Sequence, residues 1–501
     1  MSFEARGIPG ARALPDMLST TGRAVSVRLS DPLREPDRPA HALDLFDRAK
    51  LRPRFWILVG LLMLQGVFEF FDFFIVGFLV SMIGPAWGLT FGETSVILLA
   101  AGVGQLLGAM PFAWVADNWG RKPALIAGMM VYSLAAGCTA FVPEGSWMLF
   151  ACLRFLVGVG YGGTQITLLI EIAPTRIRTI LASSTGLVAP LGVLAASLLV
   201  ATLSGTLGWR GLALLGFAPI GMVIALWFFV PESVRWLIAQ GRGEEARKVV
   251  SQYVDIPYDR IPLIPEPARR EPPRLRDLYR YPGRFWMIIF MTAGLGMSGF
   301  GVALWGPTVV SMLLRASPAE AAQYFVYVSA SGLVGRALWT LAPHFIGRWR
   351  SALICCWGAA ASIAGAALLH PYFIAGIPVF LICLIIGALF YDGGYANTTP
   401  FGTELYPVRL AALGGGLTQT TSGLAKLLGP VALALIAGSG NVLSPAATEA
   451  AIVPGFLFLA AFAVMGGIAL LLLRYETNGR PMVIDEAEWV DGRPAIKSAG
   501  A

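Results

Sequence analysis

The stretch "GAMPFAWVADNWGRKPAL" at residues 108–125 runs an apolar segment into an abrupt charged turn, with Asp117, Gly120, Arg121 and Lys122 close together. A second stretch, "GRALWTLAPHFIGRW" at residues 335–349, has the same form and also ends in Gly-Arg. Each is flanked by apolar segments near or above the roughly 20 residues that an α-helix needs to cross hydrocarbon. Working outward from these two turns, twelve such segments follow one another, from 55–82 to 452–474. The composition agrees: 56% of residues are hydrophobic and only 13% charged, whereas a soluble domain is about a quarter charged.

The 37 basic residues give the orientation. They gather in the tails and in the loops after every second span. Only Arg210 and Arg315 fall in the alternate loops, and Arg154, Arg336 and Lys426 fall within spans. This is a positive-inside pattern with both termini cytoplasmic, in a cell inner (plasma) membrane. The net charge of +7 is explained by loops facing anionic lipid, so no nucleic-acid partner is expected. Residues 1–50 lack a short apolar core with a cleavage site and read as a tail rather than a signal peptide. There is no G-x-x-x-x-G-K-[ST] loop for nucleotide. His41, His344 and His370 form no metal or catalytic group, and the five cysteines show no zinc or disulfide spacing. Neither an enzyme nor a cofactor is expected.

The polar segment around "IPLIPEPARREPP" divides the chain into equal halves. The predicted layout is a cytoplasmic tail at 1–54, a six-helix bundle at 55–230, a central loop at 231–284, a second bundle at 285–474 and a tail at 475–501. The halves echo each other beyond the Gly-Arg turns. "EIAPTRIR" at 171–178 matches "ELYPVRLA" at 404–411, which sets Glu171 and Arg176 opposite Glu404 and Arg409. A 6+6 duplication is the architecture of a secondary transporter, with its substrate site at the midplane between the halves.

Charges inside the spans mark that site. In "LQGVFEFFDFFIVGFL" at 64–79, Gln65, Glu69 and Asp72 are spaced i, i+4, i+7 on one helix face. A charged side chain at midspan costs at least ~2.5–3.5 kcal/mol, so such groups face cavities and serve function. A protonated carboxyl is far cheaper to bury than a carboxylate, which suits proton coupling. Asp72 is the first choice of proton acceptor, Glu69 its helper and Arg154 the cation that modulates them. Gln419, Ser422 and Lys426 repeat the one-face pattern in span 11. Lys426 either anchors a substrate carboxylate or pairs with Asp392 or a span-1 acid. Gln65, Gln165, Trp305, Tyr391 and Asp392 complete the candidate substrate contacts, with aromatic rings suited to a mixed apolar and anionic metabolite.

Four motifs in order, "GAMPFAWVADNWGRKPAL", "RFLVGVGYGG" at 154–163, "PESVRWL" at 231–237 and "ELYPVR" at 404–409, resemble those of the major facilitator superfamily, the third being similar to its sugar-porter branch. The resemblance implies an all-α membrane protein of twelve transmembrane helices in two pseudo-symmetric six-helix bundles, working by alternating access and as a monomer. It implies that Asp117 binds the end of a helix in the other half and Arg121 the acidic partners nearby, in a gating loop that also holds Gly120 and Lys122. It also makes Glu171, Arg176, Glu232, Arg235, Glu404 and Arg409 the acid and base pairs of an inner gate. Span 7, "GLGMSGFGVALWGPTVV" at 294–310, lacks the Gln-Gln and Asn of sugar porters, which points away from a hexose. The span-1 carboxylates resemble organic-acid and metabolite proton symporters instead. The expected activity is proton-coupled uptake of a small organic anion. Symport of a neutral sugar, polyol or vitamin, drug-type proton antiport, and a non-transporting sensor are the alternatives.

Overall fold

The computed structural model describes residues 50–161, 164–174, 177, 181, 184–255, 257–261, 275–407, 410–477, 489–490 and 493–494. Among them, eleven helical segments are long and apolar enough to cross a membrane. One of these, Thr185–Phe229, is 45 residues long and holds two of the twelve expected spans. Gly208 breaks it, with φ 60° and ψ −175°, a backbone conformation open to glycine and costly for other residues.

The first half comprises α1 (Pro53–Trp87), α2 (Phe91–Asn118), α3 (Arg121–Cys138), α4 (Trp147–Gly160) continued by α5 (Thr164–Ile172), then α6 (Val188–Leu214) and α7 (Ala218–Phe229). The second comprises α10 (Pro282–Leu313), α11 (Pro318–Ile346), α12 (Arg348–Leu369), α13 (Val379–Glu404), α14 (Ala411–Ala437) and α15 (Pro445–Leu472). Between the halves, the central segment carries two short helices, α8 (Val234–Ala239) and α9 (Gly243–Tyr253). The chain entering α1 ties onto α9: Leu51 bridges Val254, and Arg52 donates to the Ser251 carbonyl at 3.1 Å.

Local chemistry repeats between the halves. Both α2 and α11 begin with a capping box. Thr90 Oγ1 accepts from the Glu93 N–H while Glu93 returns a bond to the Thr90 N–H, and Ser317 and Glu320 do the same. Each box satisfies two N–H groups that the first helical turn leaves unpaired. Within each half, glycines bring helices into backbone contact. A Cβ on Gly158 of α4 would strike Ala101 of α2, and one on Gly335 of α11 would strike Leu389 of α13. In "RFLVGVGYGG" this holds for Gly158 and for Gly160, where a Cβ would strike Gly128 and Tyr132 of α3.

The halves meet through α1 against α10, α2 against α14 and α6 against α11. A Cβ on Gly77 would lie 2.7 Å from the Leu304 carbonyl oxygen, so α1 and α10 are in backbone contact there. Ser95 donates to the Pro430 carbonyl at 2.9 Å, and Ser197 and Ser329 hydroxyls are 3.3 Å apart. At the end away from the Gly-Arg turns, the loop before α2 pairs with the loop before α15. Phe91 N–H donates to Asn441 O, Gly92 N–H to Ser439 O and Leu443 N–H to Leu89 O, each at 2.9 Å. These bonds flank the antiparallel bridge Thr90–Val442 and tie the two halves together at that end.

The bridge makes a test. A non-hydrogen-bonded antiparallel pair holds its Cα atoms about 4.5 Å apart, within disulfide range. The Thr90→Cys/Val442→Cys variant is expected to cross-link on mild oxidation and lose transport, with recovery on reduction. Free transport after complete cross-linking, read by mass spectrometry, would show that this end does not open.

Candidate functional site

At the end carrying the Gly-Arg turns, the charged motifs form two similar clamps, each within its own half. Arg121 pairs with Asp117 at 2.5 Å and with Glu171 at 3.2 Å. Arg348 donates to Glu404 at 2.9 Å. Glu232 accepts from the N–H groups of Arg121 and Lys122 at the start of α3. Glu476 accepts likewise from Arg348 and Trp349 at the start of α12. Carboxylates here meet the unpaired N–H groups and positive pole of a helix N-terminus. Gly120 and Gly347 have φ of 115° and 88°, and a Cβ on either would collide with the capping carboxylate. Burial raises the Glu232 carboxyl above the ordinary carboxylate range, opposed by its backbone hydrogen bonds from Ser233, Arg121 and Lys122.

Several gate expectations change accordingly. Asp117 pairs with Arg121 in its own half rather than with a helix end of the other, while Arg121 holds the nearby acids Asp117 and Glu171, as the resemblance implied. Glu232 caps α3 rather than pairing with Arg235, which is exposed and has no ion pair among the described residues. Lys122 donates to the Trp227 carbonyl at 2.5 Å. Arg176 and Arg409 lie outside the described residues. Glu476 was missed, although "YETNG" after the last span mirrors "PESVR" after the sixth.

At mid-depth the two carboxylates of α1 have different surroundings. Asp72, 3% exposed, faces α4, where Arg154 is 1% exposed. Arg154 Nη1 donates to both Asp72 carboxylate oxygens at 3.1 Å and Nη2 to the Asp72 carbonyl at 2.7 Å. The Tyr161 hydroxyl donates to Asp72 Oδ2 at 2.6 Å. Four hydrogen bonds thus close this pair. Glu69, one turn earlier, is half-buried and makes no hydrogen bond or ion pair among the described residues. Its neighbours on α1, Phe70 and Phe73, lie beneath Lys426 of α14.

Lys426 reaches across from the second half. Its ammonium lies over three rings, Phe300 of α10 at 5.0 Å and Phe73 and Phe70 of α1 at 5.2 and 5.7 Å. Gln105 Oε1 of α2 accepts from it at 3.4 Å. Ring faces attract a cation, but they do not supply a counter-charge. Its expected alternative partner, Asp392, is taken by Arg336 of α11, with Nη2 to Oδ1 at 2.8 Å. Arg336 also lies 5.2 Å from the Tyr395 ring, and the Tyr395 hydroxyl is 3.4 Å from Ser422.

The remaining candidates divide. Gln165 is buried and donates to the Leu62 carbonyl at 2.6 Å, holding α5 to α1. Gln65 is buried, and its Oε1 has no hydrogen-bond partner among the described residues. Gln419 is exposed and donates to Thr399 at 3.3 Å. Tyr391 is buried in the second half. Trp305 lies near the bridged end, stacked 5.6 Å from Phe91 and donating to the Pro430 carbonyl at 3.3 Å, so its place is in the gate packing. Sequence reasoning overlooked Gln105, Tyr161, Phe300 and the partner role of Arg336. A lone glutamine in "AAGVGQLLGAM" was the available signal for the first.

The family described as sugar (and other) transporter matches residues 59–489. The chain belongs to this family. It is a secondary transporter of the major facilitator superfamily, and not an enzyme. Among relatives of this transporter, the niacin transporter NiaP of Acinetobacter baylyi is 27% identical over 391 residues, covering 75% of this chain and 86% of that one. The 4-hydroxybenzoate transporter PcaK of Pseudomonas aeruginosa is 31% identical over 199 residues, covering 39% of this chain and 44% of that one. The inward-open structure of the xylose transporter XylE from E. coli superposes with a TM-score of 0.64 at 16% identity, over 86% of this chain and 98% of that one, which shows the transporter's fold.

Proposed function

We propose that this transporter imports a small aromatic or similarly amphiphilic monocarboxylate together with protons. The observation that carries the reading is Lys426, a mid-span ammonium ringed by Phe70, Phe73 and Phe300 and lacking an ion pair within 4.0 Å among the described residues. An ammonium there calls for an anion, and the rings suit an aromatic body attached to it. Niacin and 4-hydroxybenzoate, which two relatives carry, are both aromatic monocarboxylic acids. The inferred setting is a monomer in a cell inner membrane with both termini and the Gly-Arg turns in the cytoplasm, so the end tied by the Thr90–Val442 bridge faces outward.

The proton acceptor in this reading is Glu69. Asp72 led the sequence-based order, but both of its carboxylate oxygens are already bonded by Arg154 or Tyr161, whereas Glu69 has no hydrogen-bond partner among the described residues. Asp72 and Arg154 then position α1 on α4. The test is uptake of labelled nicotinate and 4-hydroxybenzoate by the protein in liposomes under an inward proton gradient. Neutral acids also diffuse through lipid, so the readout is the excess over protein-free vesicles. We expect at least about tenfold faster initial entry of one of the two acids, inhibited by the unlabelled acid. Equal entry with and without protein would reject this substrate class.

A further inference from the structure

We propose that Glu69 and the substrate carboxylate are alternate counter-ions of Lys426, so that one proton accompanies each monoanion and transport moves no net charge. The inference rests on the reading of Lys426 as the anion anchor. Its geometric basis is the shared wall: Glu69 adjoins Phe70 and lies one helical turn before Phe73, the two α1 rings beneath the Lys426 ammonium. The other titratable groups near Glu69 are Tyr132 of α3 and Tyr161, just after α4, with Asp72 and Arg154 as a closed, neutral pair. Arg336 and Asp392 form a second neutral pair on the opposite side. Glu69 and Lys426 are therefore the charges in the cleft left free to change partner.

Four occupancies follow. The empty cleft, with carboxylate facing ammonium, is neutral. With the anion alone it is negative, and with a proton alone it is positive. With both it is neutral again, the anion on Lys426 and the proton on Glu69. Carrying a net charge through a low-dielectric barrier costs several kcal/mol that a neutral pair avoids. Only the empty and the doubly loaded carriers then reorient readily. On loading, water in the vestibule gives a proton to a Glu69 carboxylate oxygen as the substrate takes the ammonium. On release, Glu69 returns that proton to water and faces Lys426 again.

The experiment uses the full chain in liposomes with labelled nicotinate and 4-hydroxybenzoate as probes, read against protein-free vesicles. A pH difference alone should drive uptake, while a potassium diffusion potential of either sign at equal pH should change the initial rate less than about twofold. Glu69→Gln resembles the protonated residue. It should keep counterflow exchange, which also shows that it is folded, yet lose net accumulation, because its empty cleft carries an unbalanced Lys426. Above the Glu69 titration, affinity of the wild type should fall about tenfold per pH unit, because binding takes up a proton, and that of Glu69→Gln should stay flat. Uptake driven by potential alone, or accumulation by Glu69→Gln, would overturn the proposal. If neither acid enters, the substrate reading fails and a ligand-free cycle judges the pair. Non-additive Tm changes for Glu69→Gln, Lys426→Gln and the double variant support it, and additive changes overturn it.

Discussion

Lys426→Met is expected to lower initial uptake by about 10- to 100-fold while leaving the fold intact. A charge-assisted hydrogen bond to the substrate carboxylate contributes roughly 1.5–3 kcal/mol, and about 2.7 kcal/mol corresponds to a hundredfold change in affinity. Methionine nearly matches lysine in length, and its thioether packs well against aromatic rings, so the cage formed by Phe70, Phe73 and Phe300 keeps its contents. The substitution removes the ammonium with little cavity. Initial rates in liposomes, beside thermal unfolding in detergent, check the claim. Wild-type uptake by a well-folded Met variant would dismiss Lys426 as the anion anchor.

The second large effect falls on stability. Arg154→Met leaves the Asp72 carboxylate buried with only Tyr161 to bond it. Removing one member of a buried ion pair costs about 3–5 kcal/mol, whereas replacing both members by neutral groups costs far less. The double variant Asp72→Asn/Arg154→Met should therefore recover most of the loss, as read from Tm and from the yield of monodisperse protein. This separates the two acids of α1. If Arg154→Met unfolds at the wild-type temperature but loses proton-driven uptake, the coupling role returns to Asp72. Lower stability that the double variant repairs assigns the pair to scaffolding.

Both predictions depend on pairings that the sequence left open. It had limited Lys426 to a substrate carboxylate, Asp392 or a span-1 acid, and it had named both Glu69 and Asp72. Which carboxylate stays free follows from Arg154 on α4 and Tyr161 just after it, which bond Asp72 and make no hydrogen bond to Glu69. Asp392 was removed from the contest by Arg336, a residue seen in the sequence as an intramembrane charge without a role. The loop motifs behaved in the same way. Their acids and bases were recognisable, but Asp117, Arg121, Glu171 and Glu232 bond within one half, because α3 begins beside α5 and the end of α7.

Span number, the duplicated halves and the positions of the buried charges were legible in the sequence alone. Those properties are local: hydrocarbon thickness demands about 20 apolar residues for each crossing, and a charge within such a run stands out wherever the helix packs. Partner choice is not local. A hydrogen bond weakens over a few tenths of an ångström and with direction, so it depends on the rotation, depth and neighbours of every helix. Helical spacing could put Glu69 and Asp72 on one face of α1. Only the tertiary structure decided that Arg154 reaches from α4 to Asp72 and that Lys426 reaches from α14 to the rings beside Glu69.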